Sequence, residues 1–103
     1  MINRDEDGVI VSADSVADVT QAMAQIEKAL ECAVKDGLED MSNEDKEDII
    51  AQMNDLKILI TLVTPDMQKS AKPTELISFL RQIIKVKSAA EEFKKLGEAM
   101  GKI

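Results

Sequence analysis

Histidine, tryptophan and tyrosine are missing from the 103-residue sequence, and cysteine occurs once. Without histidine, the chain lacks the usual general base near neutral pH and the commonest protein ligand of transition metals. A single cysteine without histidine forms neither a thiol-nucleophile pair nor a zinc site, and it excludes an internal disulfide. We therefore predict a non-enzymatic protein with no cofactor and no metal centre.

Aromatic residues and turn formers are also scarce. Phe79 and Phe93 are the only aromatic residues, and the chain has four glycines and two prolines. The core must therefore consist of Leu, Ile, Val, Met and Ala, which suit the packing of helices on helices. So few turn residues disfavour a fold with many strands.

Long hydrophobic runs are absent as well. The longest largely apolar stretch, residues 58–63, is far shorter than a bilayer span, and the first residues have no apolar signal-peptide core. A lone cysteine is typical of a reducing compartment. We expect a cytoplasmic protein that does not enter a membrane.

Three segments show the hydrophobic spacing of amphipathic helices, at about residues 15–36, 43–63 and 74–100. Ser15 and Ser42 are suitable N-caps, Gly37 is a natural C-terminal stop, and Pro65 ends the second helix. Apolar residues in each segment recur in alternating steps of three and four. These stripes are Val16, Val19, Met23, Ile26, Leu30 and Ala33; then Ile49, Met53, Leu56, Ile60 and Val63; then Leu76, Phe79, Ile83, Val86, Ala90, Phe93, Gly97 and Met100.

The predicted fold class is therefore all-α: an antiparallel three-helix bundle, or long helical hairpin, with coiled-coil-like packing. Residues 15–103 are expected to form this single helical domain. Residues 1–14 form an acidic N-terminal arm that is short and either extended or mobile. Its apolar run, residues 9–11, could lie on the helices, pair with a second copy or stay mobile, and the sequence leaves all three open.

Apolar residues outside the stripes suggest an interface. Two interpretations remain open: the first helix, Met67 or residues 9–11 cover them within the monomer, or they bury against a second copy or a partner. The leading hypothesis is a helical protein–protein interaction module, such as an adaptor, small chaperone or assembly factor. Its protein partner is unknown, and we expect it to self-associate, with a dimer favoured. The candidate interface residues are Ile58, Leu62, Ile77, Leu80 and Ile84.

Charge supports a different hypothesis. The net charge of −7 divides into −11 over residues 1–66 and +4 over residues 67–103. An acidic surface could imitate a phosphate backbone and inhibit a basic, nucleic-acid-binding protein. Direct binding to nucleic acid is not expected, because acids interrupt the basic third helix and it offers no exposed aromatic pattern for base stacking. The candidate acidic surface comprises Asp36, Glu39, Asp40, Glu44, Asp45, Glu47 and Asp48.

Overall fold

The computed structural model describes residues 1–101, of which 72% are helical. A two-stranded antiparallel hairpin precedes four helices, so the all-α prediction is right for most of the chain. The longest helix is unbroken over 27 residues. The elements are β1 (Ile2–Arg4), β2 (Ile10–Ala13), α1 (Val16–Asp36), α2 (Asn43–Thr61), α3 (Pro65–Ser70) and α4 (Pro73–Ala99).

Local capping accounts for where the helices begin and end. The Oγ atom of Ser15 accepts a hydrogen bond from the backbone N–H of Asp18 at 3.2 Å, and Ser42 does the same for Asp45 at 3.1 Å. Thr64 caps the short α3, which starts at a proline. Gly37 ends α1 in the left-handed conformation, with φ of 87°, as the sequence indicated.

The three long helices are arranged around α1. Helix α4 has an extended contact with one flank of α1, α2 packs on another, and α2 and α4 hardly touch each other. Helices α1 and α4 run in the same direction, since residues 17–24 of α1 line a pocket with residues 74–78 of α4, and farther along Gln82 binds Glu27 and Lys85 faces Glu31. The short α3 completes the crossover past the start of α1. The resulting molecule is flat, with extents of 44 × 31 × 15 Å.

The buried residues on α1 and α4 belong to the predicted stripes, except that on α4 Ala89 is buried and the stripe residue Ala90 is half-buried. Val19, Met23 and Leu30 on α1 are fully enclosed, as are Val86 and Phe93 on α4. On α2 the prediction was partly wrong. Leu59, which does not belong to the predicted stripe, is fully buried, whereas the stripe residues Met53, Ile60 and Val63 are half-buried. Adjacent apolar rows on one helix both satisfy the spacing rule, so packing against α1 decides between them.

The N-terminal arm is an ordered hairpin. Strand β2 pairs with β1, and Ile10 is buried in the core beside α1 and α2. A carboxylate oxygen of Asp5 accepts hydrogen bonds from the N–H groups of Asp7 and Val9, and Gly8 takes a positive φ of 81°. Of the apolar run, Ile10 therefore lies on the helices, which was the first of the three alternatives, whereas Val9 and Val11 stay exposed and the run pairs with β1, which the sequence analysis did not foresee.

Candidate interaction surfaces

The face of α4 turned away from α1 carries an exposed apolar strip. Ile77, Leu80 and Ile84 are 49%, 59% and 70% exposed, although they are large aliphatic residues. Their spacing of three and four places them on one side of the helix. Phe79 and Val86, on the other side, are buried against α1. We call these three exposed residues the outer strip.

Basic residues surround the outer strip. Between Leu76 and Ala90 the charged residues are Arg81, Lys85 and Lys87, all basic and all exposed. Arg81 lies one turn from Ile77, and Lys87 lies one turn from Ile84, so these two flank the strip directly. The outer strip is thus an apolar ridge with basic neighbours on a protein whose net charge is −7, and the first acid beyond it is Glu91, two turns after Ile84.

The other two candidate interface residues lie in a different environment. Ile58 and Leu62, near the end of α2, are half-buried and pack against the core. Both residues are close to Leu59 along α2. Because Leu59 is fully buried, this end of α2 faces α1, and Ile58 and Leu62 are partly buried with it. The structure therefore places the five candidate residues in two groups, one contributing to the core and one facing outwards.

A groove of about 630 Å³ lies where α1 ends and α2 begins. Its floor is apolar and its rim is acidic, and we call it the acidic groove. All seven acids predicted from the sequence are exposed, and four of them line it, whereas Glu39, Glu44 and Glu47 lie outside its lining. The lining residues are Ala33, Asp36, Leu38, Asp40, Met41, Asp45, Asp48, Ile49 and Gln52.

Leu38 shapes the floor of the acidic groove, and the sequence analysis did not single it out. Its backbone is left-handed, with φ of 60°, immediately after the left-handed Gly37. This conformation is unfavourable for a residue with a Cβ atom, but the side chain is only 2% exposed. Burial of the leucine side chain compensates for the backbone cost. The only available signal was an apolar residue directly after a helix-ending glycine.

Carboxylates cluster along the α1/α4 contact. A hydrogen bond with Glu27 raises the pKa of Glu31, the negative charges of Glu27 and Glu92 add to this, and Lys85 opposes it. Glu27 in turn accepts a hydrogen bond from the side-chain amide of Gln82 on α4. At the other end of α1, the N-terminal ammonium group binds Asp18 and lowers the pKa of that carboxyl.

Within residues 1–101, no group of three or more potential ligand side chains is arranged to hold a metal ion. None of the described helices is long and apolar enough to span a bilayer. Comparison with known protein families, with curated proteins and with solved structures finds no match to this chain. Any functional conclusion therefore depends on the surfaces themselves.

Proposed function

We propose that this protein is a non-enzymatic, cytoplasmic, helical protein–protein interaction module that self-associates. Such a module serves as an adaptor, a small chaperone or an assembly factor. The observation that carries the proposal is the outer strip, whose three aliphatic side chains have no covering element in the described chain. Covering them in a complex removes apolar surface from water, which is the main driving force of association.

The shape of the molecule supports this proposal. Helix α4 contacts α1 along one side only, so its opposite side is available over many turns. A long amphipathic helix surface of this kind suits recognition of another helix. We further propose that α1 and α4 pack in left-handed coiled-coil geometry, because the apolar stripes of both helices, whose members are buried or half-buried, alternate in steps of three and four.

Sedimentation velocity tests the proposal directly. The wild-type chain should sediment faster as its concentration rises, and Leu80→Asp should remain monomeric with an unchanged circular dichroism spectrum. Val11→Asp is a matched control, because Val11 is a similarly exposed aliphatic residue on the hairpin, at 53%. Equal association of wild type and Leu80→Asp would show that the outer strip is not the interface.

The acidic inhibitor remains a second candidate, and one observation favours it. The seven acidic residues are exposed, and none takes part in an ion pair among residues 1–101. Their negative field is therefore not neutralised locally, as a decoy for a basic protein requires. Salt separates the two candidates: a charge-driven inhibitor loses affinity steeply with ionic strength, whereas a purely apolar interface does not.

A further inference from the structure

We propose that the outer strip of one copy docks into the acidic groove of a second copy, so that the chain associates head to tail. This inference rests on the proposed self-association and specifies its mode. An isologous dimer uses the same patch on both subunits, whereas head-to-tail contacts join two different patches and form rings or open chains. The two patches here differ in shape and in the sign of their charge.

The charges of the two patches are complementary. The outer strip carries Arg81 and Lys87 at its sides, and the acidic groove carries four aspartates around an apolar floor. Opposite charges around an apolar contact guide orientation and exclude wrong partners. An apolar ridge with a basic rim therefore meets a concave surface with an acidic rim.

The outer strip and the acidic groove of one molecule cannot contact each other. The outer strip lies on the side of α4 turned away from α1, level with the middle of α1, where Gln82 binds Glu27. The acidic groove lies at the end of α1 and is formed with α2, on a different flank. Only a second chain can bring the two surfaces together.

Pairing of two outer strips is the simplest competing arrangement, and charge disfavours it. Arg81, Lys85 and Lys87 are the charged residues between Leu76 and Ala90, so two α4 helices that meet along their strips bring like charges together. Like charges in an interface are strongly unfavourable. A second copy that offers its acidic groove avoids this repulsion.

A mixing experiment tests the head-to-tail mode. The strip variant is Leu80→Asp, with Ile84→Asp as a second version. The groove variant is Asp36→Lys/Asp40→Lys, which changes exposed residues at the end of α1 and in the following loop. A basic side chain is favourable at a helix C-terminus, so this variant should fold. Circular dichroism checks the helicity of each variant.

The control for the groove variant is Glu6→Lys/Asp7→Lys. Both residues are exposed in the hairpin turn, and the substitution changes the net charge by the same amount away from the groove. Strip and groove variants should each associate at least about tenfold more weakly than wild type, since each lacks one of the two required patches. The control should associate like wild type.

The decisive sample is an equimolar mixture of the strip and groove variants, followed by sedimentation velocity. The intact strip of one variant fits the intact groove of the other, so a one-to-one heterodimer that grows no further is expected. Wild-type-like association of the groove variant alone, or a mixture that stays monomeric, would overturn the head-to-tail mode while leaving strip-mediated self-association intact. A wild-type chain that is monomeric at every concentration would refute both.

Discussion

The inner and outer faces of α4 both carry large apolar residues at helical spacing, but α1 covers only the inner one. Phe79, Val86 and Phe93 are buried, whereas Ile77 and Ile84 are exposed by about half or more. The difference does not come from hydrophobicity, because isoleucine is at least as apolar as the residues inside. It comes from the number of helices, since α1 can contact only one side of α4. A row of apolar side chains on a helix therefore stabilises the fold only where another element of the same chain packs against it.

Substitutions on the two faces should have very different effects on stability. Phe93→Ala removes a fully buried ring from the α1/α4 contact and should lower the free energy of unfolding by about 3–5 kcal/mol. Ile84→Ala on the outer strip should change it by less than about 0.5 kcal/mol in the monomer. Urea denaturation at low protein concentration, followed by circular dichroism, measures both. Similar losses for the two variants would contradict the distinction between the faces.

The five candidate interface residues provide a second test. Leu62→Asp places a charge against the core, where Leu62 is half-buried, and should destabilise the fold by about 1–3 kcal/mol. Leu80→Asp should leave thermal unfolding of the monomer nearly unchanged, because Leu80 is mostly exposed. If Leu62→Asp left stability intact and only reduced association, the end of α2 would belong to the interface.

The smallest expected effect concerns Glu31, which lies near Lys85 and Glu92 of α4. Its pKa is raised above the ordinary value of 4.5, chiefly by its hydrogen bond with Glu27. The folded state therefore holds this proton more tightly than the unfolded state. Its stabilising contribution is complete below pH 4.5 and is lost as the pH rises through the raised pKa.

Glu31→Gln removes this titration and should slightly increase the melting temperature at neutral pH, with little change below pH 4.5. Glu39→Gln is a suitable control, because it removes one exposed carboxylate from the loop between α1 and α2. Thermal unfolding over a series of pH values measures the effect. A gain at neutral pH that persisted unchanged into acid would show that the Glu27–Glu31 pair is not its cause.

Much of the helical architecture could be predicted from the sequence. Ser15, Ser42 and Gly37 satisfy backbone groups at helix ends through local contacts, so their positions mark the boundaries of α1 and α2. The stripe on α4 runs without interruption from Leu76 to Met100, and packing against α1 buries or half-buries every member. In these segments, the capping residues and a regularly spaced apolar stripe were sufficient to predict the helices.

Features that depend on contacts between distant segments could not be predicted in the same way. The hairpin needs Ile2–Arg4 to pair with Ile10–Ala13, and the turn signal between them, Asp7-Gly8, stands at the end of an acidic run that is equally typical of a mobile arm. On α2, spacing alone could not choose Leu59 over Ile60. The acidic groove and the buried, left-handed Leu38 require α1 and α2 to be placed first.

The most direct test of the central claim is sedimentation velocity of the wild-type chain and Leu80→Asp over a wide range of concentrations. The account predicts concentration-dependent association of the wild type and a monomer at all concentrations for the variant, with equal helicity. A wild type that stays monomeric throughout, or a variant that associates as well as wild type, would contradict it.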